Sequence, residues 1–511
     1  MNTKWFTAGL LLAVAVSGCT AGRAASGGAA QDVLVWGHKG QVPTLDPARS
    51  DYSQTNDVDR LLYDTLLDYG TDGKLTGRLA TAFAYSADVR SITVKLRDDV
   101  KFHDGTPLTA KDVAYTLDRN RKIGQGIDTM TKSYASTTVT GDHDLVIKLN
   151  KPDTLVLGAL SRVYVVNSAL VQKNAGTDLG QSWLASNDAG SGPYTLGSSA
   201  GGRVELHRYD AYFAPRAGRP KTFVQLQVDE PGARRDGIVA GRINAADIDV
   251  HDMKAVTDGG GQIYRSTGNG LMSVYFNTRY GAAANPAVRE AISYAFDYRG
   301  ALDKIELGNG TLANGPLPPN LDCRPTLPTV QQDQAKARKI LADAGLHDVK
   351  LTLRFQPSFS DQAQVATLLQ SNLAAIGIKL ALEPITFPAY LTMLSDFKTV
   401  PEMMLATESP AYPDPGVMLL QSYSSKAIGT NKTAYENPTV DALLTRAAAA
   451  PEAGERCDLY RQAQTLIAAD HAVMPMMLLL GAIGYTADVG GIDPHAVTGG
   501  FDLYRLEIQK K

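Results

Sequence analysis

The stretch from Asp333 to Leu382 leaves this chain few folds to choose from. Asp333 is a good N-cap, and behind it Ala337, Ile340, Leu341 and Ala344 recur at helical spacing until Gly345 closes the helix. Val349, Leu351, Leu353 and Phe355 then alternate with polar residues, as a half-buried strand does. From Asp361 to Ile376 the helical period returns, with Val365, Leu368, Leu369 and Ile376 in one stripe and Gly377 as C-cap. Ile378, Leu380 and Leu382 alternate again. A helix between two strands carries the chain back to the end it started from, so the strands must run parallel. That places this part of the chain in an α/β layer.

A second stretch, Ile92 to Val113, reads as strand, sharp turn and capped helix. Ile92, Val94 and Leu96 alternate with Thr93, Lys95 and Arg97. His103-Asp104-Gly105-Thr106-Pro107 breaks the run: Gly105 tolerates a positive φ, and Pro107 biases Thr106 away from helix. Thr109 is an N-cap with Asp112 in the capping-box position. Elsewhere, Val33 to Trp36 reads as a buried strand and Leu61 to Leu66 as helix. Thr137 to Leu149 reads as a hairpin turning at Gly141-Asp142-His143-Asp144. Gly190 to Leu196 is a tight turn into a strand whose return is Arg203 to Arg208. Asn285 caps a helix with Pro286 at its first position and Val288, Ala291, Ile292 and Ala295 on its buried face. Helices are also expected over 437–448 and 453–469, and a buried strand over His471 to Leu480.

The chain has 511 residues, too many for one core. A net charge of −3 makes no case for a nucleic-acid partner. There is no HExxH, GxSxG or P-loop string, and the eight histidines are scattered, so no catalytic residue and no metal set is assigned. His103 is expected to stabilise its turn. The N-terminus reads as an address: Lys4, then an apolar run from Trp5 to Val16 too short to span a bilayer. Val16-Ser17-Gly18-Cys19 looks like a bacterial lipobox, which makes residues 1–18 a signal peptide and Cys19 the lipidated terminus. Residues 19–31 form a Gly-, Ala- and Ser-rich tether. Cys323 and Cys457 remain, either bridged across a long loop or as two separate buried thiols.

The string KLRDDVKFHDGTPLTAKDV closely resembles the signature of the family 5 extracytoplasmic solute-binding proteins, the peptide, nickel and related receptors of ABC importers. Further segments resemble the same family: Thr44-Leu45-Asp46-Pro47-Ala48, Leu62-Tyr63-Asp64-Thr65-Leu66, Gly190 to Leu196, Asn285 to Ala295, Tyr412-Pro413-Asp414-Pro415 and His471 to Leu480. The resemblance implies an α/β, periplasmic-binding-protein-like type II fold: two lobes with a ligand cleft between them and an extra subdomain in lobe one. Lobe one would comprise 32–274 and 486–511, with the subdomain at about 60–188, and lobe two 275–485. It implies a monomer, lipid-anchored on the extracytoplasmic face of the bacterial cell membrane. This protein would bind peptides or a peptide-like solute, dock on ABC permease and ATPase subunits, and need no cofactor. Implied ligand-binding positions are Leu45, Asp46, Glu408, Ser409, Ala411 and Tyr412. In peptide-binding members an aspartate that pairs with the peptide's α-ammonium stands where this chain has Ala411, and Glu408 is the nearest acid that could substitute. The other reading is a surface lipoprotein of the same fold that docks partners or assembles envelope without transport.

Overall fold

The computed structural model describes residues 32–50, 53–70, 72–266, 270–357, 359–492 and 503–509. Cys19, the apolar run and the tether lie outside the described residues, as do Phe501 and Asp502. Among the described residues no helix is long and apolar enough to cross a membrane.

Two large mixed sheets organise the molecule. The lobe-one sheet has seven strands in the order Gln262–Arg265, Ala482–Tyr485, Ala245–Asp247, Val33–His38, Thr222–Gln227, Arg203–Arg208 and Tyr194–Ala200. Val33–His38 runs parallel to both its neighbours and the outer pairs are antiparallel. The lobe-two sheet has six strands: Gly310–Leu312, Val473–Leu479, Gly270–Phe276, Met403–Glu408, Lys350–Phe355 and Lys379–Pro384. Lys350–Phe355 and Lys379–Pro384 pair in parallel across the helix Ser360–Ala374, as the change of period demanded. Met403 and Met404 are fully covered core residues of this sheet.

The chain changes sheet between Ser266 and Gly270, and back between Leu479 and Ala482. These crossings come a few residues before the expected 274 and 485, because Gly270–Phe276 already pairs with Met403–Glu408 and Ala482–Tyr485 already pairs with Ala245–Asp247. Leu503, Leu506 and Ile508 return to the lobe-one core.

A third, four-stranded antiparallel sheet (Ala80–Tyr85, Ser91–Leu96, Asp144–Leu149, Tyr134–Val139) stands beside lobe one with its own core. Ile92, Val94 and Leu96 point into it at 2% exposure or less, and Gly105 takes φ +85° in the turn that follows. Asp112 then accepts both the backbone N–H and the hydroxyl of Thr109 at 2.9 Å, starting the helix Ala110–Ile123.

The helix expected over Leu61 to Leu66 is displaced. It spans Ser53–Leu62 and ends there. Beyond it, buried Asp64 takes donors from Arg78, Ser191 and Tyr212, and Thr65 bridges Tyr164, so tertiary partners pull the backbone out of the helical path.

Candidate functional site

The two sheets meet along a narrow joint. Ser266 N–H donates to Gly481 O at 2.8 Å, and Gly481 N–H donates back to Ser266 Oγ at 2.9 Å. Asn309 Nδ2 donates to Leu480 O at 2.8 Å beside them. Only two connections cross here among the described residues, so the space between the lobes is where a relative movement would act.

On the lobe-two side, the interior strand Met403–Glu408 ends on Glu408 and continues into Ser409, which is exposed. Glu408 is an ion-pair partner: its Oε2 lies 3.2 Å from Lys432 Nζ, and Lys432 is buried at 8% exposure. Tyr275, Tyr390 and Tyr423 lie around this pair. Burial, and after it the charge of Glu408, holds the Tyr390 and Tyr423 hydroxyls far above their ordinary range. Lys432, which no sequence motif marked, supplies the positive half of the pair, with its ammonium 5.7 Å from the Tyr275 ring centre.

The loop after Ser409 turns inward. Ala411 is half-buried against the aromatic core of lobe two. Tyr412 is 2% exposed, and its hydroxyl donates to Leu155 O at 3.2 Å. Leu155 belongs to the lobe-one subdomain, so Tyr412 joins the lobes and its ring is not open to a solute. Thr154 N–H makes a second such bond, to Ala448 O at 2.7 Å. Asp414 caps the helix Pro415–Tyr423 by accepting the Gly416 N–H at 2.7 Å, and burial pushes its carboxyl up to about 6.

On the lobe-one side, Leu45 and Asp46 point into the lobe. Leu45 is 0% exposed in the core. Asp46 accepts two hydrogen bonds from Arg119, at 2.8 and 2.6 Å, and a third from the Ala48 N–H. With every strong donor nearby already committed, Asp46 is a bidentate buried ion pair and its carboxylate does not face the cleft.

The other motif residues tie one segment to another. Asp64 gathers Arg78 (2.6 Å), Ser191 (2.9 Å) and Tyr212 (2.8 Å). His103 Nδ1 meets Asp188 at 2.8 Å and Nε2 meets Gly192 O at 2.9 Å. Both partners are acceptors, so the ring satisfies both at once only with a hydrogen on each nitrogen. Burial opposes that charge, but the hydrogen bond and the charge of Asp188 outweigh it and raise the histidine above its ordinary value. Gly190 and Gly192 permit the contact: a Cβ on Gly190 would stand 1.8 Å from Leu62 O, and one on Gly192 2.5 Å from Leu61 O.

At the joint end of the cleft, Lys39 from lobe one stands 3.8 Å over the Phe359 ring of lobe two. Burial lowers its pKa, while Asp247, Asp361 and Asp249 pull against that. Among the described residues no three His, Cys, Asp or Glu side chains could hold a metal ion. The structure joins Cys323 to Cys457 as a disulfide, their Cα atoms 4.6 Å apart, in lobe two.

Residues 74–430 match the family model of bacterial extracellular solute-binding proteins, family 5 Middle. The probable D,D-dipeptide-binding periplasmic protein DdpA of Escherichia coli is 28% identical over 456 residues, 86% of this chain and 87% of that protein. The glutathione-binding protein GsiB of Escherichia coli is 25% identical over 493 residues, covering 91% of this chain and 92% of its own. Among solved structures, DppA from Helicobacter pylori in complex with the peptide STSA superposes with a TM-score of 0.84 at 21% identity, covering 94% of this chain and 98% of that one. NikZ from Campylobacter jejuni in complex with Ni(L-His) superposes with 0.83 at 21% identity, covering 93% and 99%. These superpositions establish the two-lobed type II fold.

Proposed function

Since the chain belongs to the bacterial extracellular solute-binding proteins of family 5, we propose that it captures a peptide or peptide-like solute between its lobes and delivers it to the permease and ATPase of an ABC importer. The observation that carries this reading is the pair of sheets between which the chain crosses twice, beside the Ser266–Gly481 hydrogen bonds, with the Glu408–Lys432 ion pair at the end of a lobe-two strand. Such a joint lets a solute that touches both lobes favour the closed form, which is the signal a permease can read. The relatives' names point the same way: a D,D-dipeptide and glutathione are both small and peptide-like.

In this reading Glu408, Ser409 and Ala411 line the lobe-two wall. Lys432 already holds Glu408, so the pair presents a carboxylate and an ammonium together and Glu408 is not a free amine anchor. Leu45, Asp46 and Tyr412 frame the cleft from behind. Cys19 would carry the lipid that keeps the protein on the extracytoplasmic face of the membrane. The reading assigns no catalysis.

Native mass spectrometry of the full chain, purified without denaturant, tests it. A bound mass that fragments as a peptide is expected. Repeated preparations without one, together with no calorimetric binding across a panel of free and N-blocked di- and tripeptides, would overturn the peptide reading.

A further inference from the structure

Lys432 reaches Glu408 from a segment that is held on both sides. Asn431 Nδ2 donates to Ser424 O at 3.0 Å and to Tyr435 O at 3.1 Å, and its Oδ1 accepts the Thr433 N–H at 3.0 Å. Thr433 O accepts the Thr278 N–H at 2.8 Å, and the Thr433 hydroxyl donates to Ser422 O at 3.2 Å. Asn431 and Thr433 are both 0% exposed, so the two neighbours of Lys432 are fixed in the interior of lobe two. The lysine side chain between them is 10% exposed, with its ammonium 3.2 Å from Glu408 Oε2 and 5.7 Å from the centre of the Tyr275 ring.

Glu408 stands where lobe two meets lobe one. In register it pairs with Leu271, beside Gly270, and Gly270 pairs with Leu479. Gly270 and Leu479 are the strand ends at which the chain crosses between the sheets. Four residues beyond Glu408, Tyr412 bonds to Leu155 of lobe one. Met404 and Ala406 alternate onto the same face of the strand as Glu408, and they pack in a cluster that also holds Ala159 of the lobe-one subdomain. The carboxylate therefore lies between two inter-lobe contacts, on the face turned to lobe one, and its side chain is 26% exposed.

An exposed ion pair gains little, because two long side chains must be ordered to make it. Here the backbone beneath the lysine is ordered beforehand, so less is lost when the pair forms. A solute ammonium arriving at Glu408 would have to displace this one and would leave Lys432 buried without its counter-charge, which is strongly unfavourable. An acylated nitrogen carries no charge, needs no carboxylate and leaves the pair intact.

We propose that Lys432 is a specificity-determining residue: its ammonium takes the place at Glu408 that a solute's ammonium would take, so the cleft disfavours a free α-amine and favours peptides whose amino end is blocked. The proposal rests on the reading that a peptide-like solute occupies the cleft, and it names the class of peptide.

Calorimetry on the full chain compares alanyl-alanine with N-acetyl-alanyl-alanine. The wild type should bind the acetylated probe more tightly. Lys432→Met, which keeps the apolar stem and removes the charge, should improve alanyl-alanine relative to the acetylated probe by about tenfold or more. Adding Glu408→Gln to it should abolish that gain, and Lys432→Arg, which keeps the charge, should keep the wild-type order. Lys432→Gln takes the place of Lys432→Met if the latter does not fold. A wild type that prefers alanyl-alanine, a ratio unmoved in the neutral variant, or a gain that survives Glu408→Gln overturns the proposal and leaves the peptide reading standing. If neither peptide binds any of these proteins, the peptide reading fails and butylamine decides. Stabilisation of Lys432→Met against thermal unfolding by millimolar butylamine, absent in the wild type and lost with Glu408→Gln, supports the exclusion; equal behaviour of the three proteins overturns it.

Discussion

Replacing Asp46 by Asn should unfold lobe one at markedly lower denaturant and leave lobe two almost untouched. The carboxylate of Asp46 and the guanidinium of Arg119 are 1% and 2% exposed, so water cannot take over for a lost partner. In Asp46→Asn one side-chain oxygen still accepts from Arg119, but the amide nitrogen meets the second arginine donor head-on. The guanidinium is then a buried charge without its counter-charge. Breaking a buried pair from one side costs about 3–5 kcal/mol. With a urea slope of about 3 kcal/mol per M for a lobe of this size, the midpoint should fall by about 1–1.7 M. Tryptophan fluorescence isolates the effect, because Trp36 and Trp183, the two tryptophans beyond the N-terminal apolar run, both pack in the lobe-one core. The paired change Asp46→Leu with Arg119→Met should recover much of the loss, since apolar residues of similar volume need no partner. A single-variant midpoint within about 0.3 M of the wild type would refute the reasoning. So would a double variant as unstable as the single one.

Three further outcomes follow from the same kind of contact. His103→Gln should destabilise the chain most at low pH: the folded pKa is raised, so the contribution is complete below about 6.5 and disappears as pH rises through the folded value, which pH-dependent urea melts would show. Gly158→Ala would place a Cβ 2.5 Å from Tyr412 Cε2 and 2.9 Å from Tyr69 Oη, wedging the lobes apart at a cost of about 1–3 kcal/mol. Small-angle scattering should record a larger radius of gyration, and an unchanged radius and melting temperature would count against the contact. Cys457→Ser opens a bridge between residues 134 apart in sequence and should cost lobe two about 2–4 kcal/mol, visible by calorimetry but not in the tryptophan transition.

What could be read beforehand was what depends on near neighbours. The parallel pair around Ser360–Ala374, the Thr109 cap, the φ of Gly105 and the buried face of Pro286–Ala295 follow from residues at most a few positions apart. What escaped depends on partners far along the chain. Leu62 ends its helix because Asp64 bonds Ser191, 127 residues away. Asp46 turns inward because Arg119 waits 73 residues on. Glu408 reads from the sequence as the nearest acid to the Ala411 position, and nothing in its own segment announces that Lys432 pairs with it.

That division separates two kinds of information in the chain. The segments that carried the family resemblance hold one another: Asp46 with the signature helix through Arg119, Asp64 with Ser191, His103 with Asp188 and Gly192. Each is a buried charge whose partner cannot be removed cheaply, so together they specify the frame and leave little capacity for a solute. The charges at the strand end and the lobe contact come from elsewhere: Lys432 paired with Glu408, and Lys39 of lobe one over Phe359 of lobe two. Residues that name the frame therefore say little about the cargo. Specificity has to be sought among side chains that the frame does not itself hold.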